Sequence, residues 1–373
     1  MKRNCTYFLV FTVLVATPAV AARPSLVIIN DDFSVAAKSP VPSADFPRLS
    51  GDGKIELQTE WGVKADDPDE ERSNTSLNTE ISPELKLSES LSIEGTVLLE
   101  AVRDFDPGEN TFFEEEAVFI DELLLKYENG PWEIVAGKFS PDYKGSRDQE
   151  RGIWTEDFSK EYEIIQKLGL GGSYTFENPA AGTHTISANA FFDDQSFMSR
   201  TLGTGKQDIC DGENNLSTAI LLGGQNPAGV KSLYYEVGYR HLNGCNAGDP
   251  DESGLLATIG NVFDFPLTET VTTDLLTEFS YVQDFEGTND DRQYYSVSSV
   301  TTIDKKWNLS LGYTARLVAV SGGNDLYDHL FQASGGYKFD NGLKFDAGWL
   351  NTEEAGMGTN ILGTLVRYDF DFP

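Results

Sequence analysis

The chain has 373 residues and carries 60 Asp and Glu against 28 Lys and Arg, a formal charge of −32, so polyanionic partners such as nucleic acid are repelled. Only 39% of residues are hydrophobic, too few for a bundle of transmembrane helices that each need about 20 apolar residues. Aromatic residues make up 12%, far from the composition of a disordered chain, which leaves a globular fold or a β-barrel.

In chain order, Lys2 and Arg3 precede an apolar run from Tyr7 to Val15, followed by Pro18 and the small residues Ala19 to Ala22. This is the layout of a secretory signal peptide over residues 1–22, with cleavage after Ala21 or Ala22. Cleavage removes two bases and no acid, and it takes Cys5 with it. Cys210 and Cys245 remain, an even pair compatible with a disulfide in an exported protein, against the alternative of two free thiols. Residues 23–50 read as an extension or linker on the periplasmic side, with Pro40 and Pro42 at its centre.

From 51 to 373 one pattern repeats. In the first segment Ile55, Leu57, Thr59, Trp61 and Val63 share one face, and Lys54, Glu56, Gln58 and Glu60 the other, which is the period of a strand. About sixteen such segments are predicted, over 52–63, 75–87, 91–102, 116–127, 132–139, 163–176, 183–193, 215–224, 230–241, 254–263, 269–283, 292–302, 307–318, 327–339, 343–350 and 360–372. Connections after even-numbered segments are short and turn-like, such as Glu128-Asn129-Gly130 and Asp340-Asn341-Gly342. Those after odd-numbered segments include long polar loops, notably Ser140 to Tyr162 and Asp194 to Asn214. Aromatics of outward parity fall near strand ends, with Tyr127, Trp132, Phe176 and Trp307 at the short-turn end and Trp61, Tyr239 and Trp349 at the long-loop end. Two aromatic belts, short turns on one side and long loops on the other describe an antiparallel transmembrane β-barrel of about 16 strands.

At this point the chain resembles the porins of Gram-negative outer membranes. The resemblance covers nearly everything after Gly53 and rests on the segments, the loop asymmetry and the last strand, ILGTLVRYDFDF, which looks like the family's terminal assembly signal. Pro373 after Phe372 departs from the family's aromatic end. The segment AGKFSPDYKG is weakly similar to phosphate-selective porins, too short a match to carry a substrate over. The resemblance implies a location in the outer membrane, homotrimers, and a loop after the fifth strand that folds into the lumen.

A barrel of sixteen strands leaves an aqueous channel. Inward positions carry twelve acids against eight bases, among them Glu56, Glu60, Glu80, Glu84, Glu94, Glu100, Arg240, Arg316 and Arg367. An excess of lumenal carboxylates favours cations. The expected constriction lies in the third long loop, whose charges include Asp142, Lys144, Arg147, Asp148, Glu150, Arg151, Glu156 and Asp157. Trp154 and Phe158 are placed to pin that loop to the wall. The run Asp66 to Glu71 lacks the spacing and Gly of a calcium loop and reads as a solvated loop near lipopolysaccharide. No cofactor or metal motif appears. His184, His241 and His329 have no partner specified by the sequence, and Asp328 and His329 point to opposite faces of a strand. The reading is a passive pore for small hydrophilic solutes and ions with modest cation preference, and not an enzyme. The alternatives are a structural or adhesive barrel without conductance and an outer-rim barrel hydrolase.

Overall fold

The alternation from Arg48 onward becomes hydrogen-bonded sheet in a computed structural model that describes residues 46–103, 108–143, 152–154, 158–178, 182–205, 215–227, 230, 232–244, 248–264 and 270–373. The expected signal peptide, most of the N-terminal extension, Cys210 and Cys245 lie outside the described residues.

The strands are β1 (Arg48–Ala65), β2 (Ser73–Lys86), β3 (Leu91–Ala101), β4 (Thr111–Phe112), β5 (Glu116–Asn129), β6 (Trp132–Phe139), β7 (Lys167–Asn178), β8 (Gly182–Asp193) and β9 (Leu202–Gly203). They continue with β10 (Ser217–Gln225), β11 (Leu233–Leu242), β12 (Glu252–Asp264), β13 (Val271–Gln283), β14 (Asp291–Ile303), β15 (Trp307–Ala319), β16 (Leu326–Lys338), β17 (Leu343–Glu354) and β18 (Met357–Phe372). Sixteen of these are long, each pairs antiparallel with the next long strand, and β18 pairs with β1 to close the barrel. Closure leaves no long strand as an open edge of the sheet, as a lipid environment requires.

Two of the eighteen strands were not expected. β4 lies parallel against β2 at Asn74 and Thr75, above the top of β3, and β9 lies against β5 at Ala117 and Val118, above the top of β6. Each is a two-residue piece of loop that pairs with backbone left bare by a shorter neighbour, and so short a piece carries no period. Three boundaries also differ. The barrel starts at Arg48, inside the expected linker. Residues 163–166 belong to the third long loop, with β7 starting at Lys167. The last outer connection is not a loop of nine residues but the pair Ala355-Gly356, both at positive φ (50° and 80°), joining Glu354 to Met357. A two-residue hairpin of that geometry matches the twist of its strands, and the polar residues on either side hid the strand ends.

The outer wall is apolar. Trp132, Phe176 and Trp307 are exposed near the short-turn end, and Trp61, Tyr239 and Trp349 near the other, with Ile, Leu and Val exposed between them. For a barrel this is the lipid-facing band flanked by interfacial aromatics. The buried apolar cluster lies on the opposite side of the wall, inside the barrel, and gathers Tyr143, Trp154, Phe158, Tyr162 and Ile164 from one loop against Leu256, Tyr294, Leu330 and Leu350 from the strands.

Candidate functional site

The ladder register sorts the inward residues. Glu56 pairs across the seam with Arg367, Lys54 with Glu80, and Glu84 with Glu94, so all six share the inner face. The same parity places Glu60, Glu100, Arg240 and Arg316 inside. Many of these charges meet an opposite one: Arg367 donates from Nε to Glu56, and Lys54 Nζ lies 3.7 Å from Glu56 and 3.4 Å from Glu80. Lys86 lies 3.3 Å from Glu84, and Lys126 lies 3.9 Å from Glu94 and 3.3 Å from Glu133.

The loop between β6 and β7 enters this space. Tyr143 is buried beside Gly238 with Arg240 over its ring at 5.4 Å, and burial pushes its hydroxyl pKa up, only partly opposed by the Arg240 charge. On the far side of the lumen, Gln332 of β16 brackets the Trp154 backbone, accepting from its N–H at 3.2 Å and donating to its carbonyl at 3.3 Å. The Trp154 indole N–H donates to Glu60 of β1 at 2.5 Å. The indole lies against Gly348 of β17 and Gly363 of β18, where a Cβ would come within 3.0 and 2.4 Å of the ring. Only glycine leaves room for that seat.

From Phe158 to Ile164 the loop is held by three arginines. Glu161 accepts from Arg292 Nη1 of β14 at 2.5 Å, from Arg316 Nη1 of β15 and from the Tyr294 hydroxyl. Arg316 also pairs with Asp328 and Glu354, each at 2.7 Å, and covers the Phe158 ring at 4.4 Å. Arg240 of β11 donates to the carbonyl of Tyr162 and pairs with Glu252 at 2.5 Å, while the Tyr162 hydroxyl donates to Glu278 of β13. Such arrangements suit Arg, whose planar fork reaches several acceptors at once.

Of the expected constriction residues, Asp142 is exposed at the start of the loop, and Lys144, Arg147, Asp148, Glu150, Arg151, Glu156 and Asp157 lie outside the described residues. The residues that hold the loop, Glu161 and Arg292 above all, were visible in sequence only as one more loop acid and an uncounted strand end. Their signal was positional: Arg292 has the inward parity of Tyr294. Among the described residues no group of three His, Cys, Asp or Glu is placed to hold a metal.

The histidines lie on the outer wall. His184 Nδ1 is 3.0 Å from the Tyr235 hydroxyl, His329 stacks on Tyr313, and Asp328 is buried inside against Arg316. His241 Nδ1 comes 3.4 Å from Ser253 Oγ, and its Nε2 comes 3.8 Å from Asp251.

No protein-family model matches the chain, and no curated protein sequence does. Solved structures do match in fold. The structure of OprB from Pseudomonas putida superposes with a TM-score of 0.61 at 12% identity, covering 86% of this chain and 94% of that one. The trimer form of OmpT, an outer membrane protein of Vibrio cholerae, gives 0.54 at 12% identity, over 87% of this chain and 100% of that one. The outer membrane channel DcaP of Acinetobacter baumannii gives 0.52 at 12% identity, over 87% and 96%. The chain has an outer-membrane barrel fold. At these identities the likeness concerns the path of the backbone and not the residues of the lumen.

Proposed function

We propose that this barrel is a passive channel of the Gram-negative outer membrane for small hydrophilic solutes and ions, with a modest preference for cations. The observation that carries this reading is the inner face of β1 and β2, where Lys54, Glu80, Glu84 and Lys86 keep 30 to 38% of their side-chain surface open to water inside a closed sixteen-stranded wall. A barrel serving only as a scaffold has no need of a hydrated, charged interior, and sixteen strands enclose more space than side chains fill. The loop between β6 and β7 narrows that space, and its charges from Asp142 to Asp157 are assigned to the constriction. The chain reaches the membrane by the signal peptide of residues 1–22. Cys210 and Cys245 join in a disulfide on the outer side, lipopolysaccharide surrounds the outer loops, and three copies assemble, as in the trimer form of the Vibrio OmpT.

Reconstitution into planar bilayers tests the reading. Stepwise conductance with a reversal potential displaced toward the cation is expected. A displacement toward chloride overturns the cation preference, and silence at all voltages favours a structural or adhesive barrel. Intact mass with and without reduction reads the disulfide.

A further inference from the structure

The inner wall is divided into a covered part and a wet part. On β11 through β18 inward residues at loop height are sealed: Ser280, Ser310, Ser334, Leu350, Leu365, Arg240 and Arg316 are 0 to 7% exposed. The described part of one loop reaches across these strands, from Arg240 of β11 by way of Glu278, Arg292, Arg316 and Gln332 to Glu60 of β1. The cavity left beneath it, between Trp154, Phe158, Tyr162 and the wall of β14 to β16, is about 30 Å³, room for a water and not for a solute. On β1, β2 and β3 the inward Lys54, Glu60, Glu80, Glu84, Lys86 and Glu94 remain partly exposed, while Glu56 and Ser92 are covered by their neighbours Arg367 and Glu94.

We propose that permeation is confined to the side of the lumen lined by β1, β2 and β3, and that Glu80, Glu84 and Glu94 determine its ionic preference. This rests on the channel reading above. The three arginines that the inner face of β11, β14 and β15 presents are positioning residues: they hold the loop, and their charge is met by Glu161, Glu252, Asp328 and Glu354. Glu84 and Glu94 lie directly opposite one another in the β2–β3 ladder, an arrangement that costs stability and concentrates negative potential on the wet side. Lys54, Lys86 and Lys126 offset part of that potential, which keeps the preference modest.

The test places single cysteines in a Cys210→Ser, Cys245→Ser background, at Asn78 and Thr96 on the wet side and at Ser280 and Ser334 on the covered side. Each variant is exposed in bilayers to membrane-impermeant cationic and anionic methanethiosulfonates. Reaction at Asn78→Cys and Thr96→Cys is expected to lower single-channel current and to shift the reversal potential in opposite directions for the two reagents, with no response at Ser280→Cys or Ser334→Cys. Block from the covered side overturns the route. The pair Glu84→Gln with Glu94→Gln is expected to abolish the cation displacement of the reversal potential, whereas Arg292→Gln alters current noise and leaves the reversal potential in place; the reverse pattern overturns the assignment. Labelling of Thr96→Cys, read by mass, in a barrel that conducts nothing overturns the channel reading while bearing out the placement of the wet side.

Discussion

Glu161 shows how much of the lumen's form depends on single charges. Two guanidinium groups and a tyrosine hydroxyl converge on it, and about a fifth of its side chain is exposed. Replacing it with Gln keeps the shape and removes the charge, leaving Arg292 and Arg316 short of a partner in a partly desolvated site at a cost of roughly 2 kcal/mol. Glu161→Gln is therefore expected to raise mean single-channel conductance and open-channel noise as the loop detaches; a trace indistinguishable from the parent counts against the loop as a strut. A second buried charge lies on the outside. Lys138 of β6 has outward parity and no exposed surface, and its Nζ reaches the carbonyl of Ile120 at 2.7 Å and Asp194 at 3.3 Å. Burial alone would raise the Asp194 carboxyl, but hydrogen bonds from Ser196 and Ser199 and the Lys138 ammonium more than offset it and hold it below the usual carboxylate range. A depressed carboxyl contributes stability that is present above its unfolded value, about 3.9, and is lost as pH falls through the folded value. Amide protection of residues 196–199 is accordingly expected to persist on acidification to about pH 4 and to fail below it. In Asp194→Asn, which breaks a buried pair worth about 3 kcal/mol, that protection is expected to be low at neutral pH as well.

At the scale of elements, the seam between first and last strands is where closure is decided. Gly51 faces Phe372 and Gly53 faces Phe370 in the β1–β18 ladder, and a Cβ on either glycine would fall 2.4 Å from the opposing ring. The terminal aromatics thus lie over the only side chain small enough to admit them. Gly53→Val is expected to cost about 1 to 3 kcal/mol by overpacking and to lower the temperature at which the compact band on an unboiled gel is lost. A band as heat-resistant as the parent's would remove the seam from the argument. The loop between β6 and β7 is the other decisive element. Its aromatic pins, Trp154 and Phe158, stood out in sequence as large apolar residues in a polar loop, but the partners that seat them come from β1 and from β15 to β18. No local pattern couples residues so far apart in the chain. The same holds for β4 and β9, which exist only because β3 and β6 stop short.

For the whole molecule, the charge of −32 separates into outer loops, paired lumenal groups and a small acidic surplus on the wet side of the pore. If that surplus sets the preference, the displacement of the reversal potential is expected to shrink between about 0.1 M and 1 M salt, as the screening length falls from about 10 Å to about 3 Å. A preference unchanged by salt would point to steric selection instead. The sixteen long strands, their inner and outer faces and the sidedness of their connections were legible in the sequence, because a strand repeats every two residues and a barrel writes lipid outside and water inside along each one. Parity, however, only says which face a residue takes. It counted Arg240 and Arg316 with the bases open to the pore, and it says nothing of Glu161, which lies in a loop. Which inward charges meet water and which are covered was decided by tertiary structure alone, since the loop that covers them is held by contacts to strands distant in the chain, and the energy of those contacts depends on burial and pairing that no periodicity records.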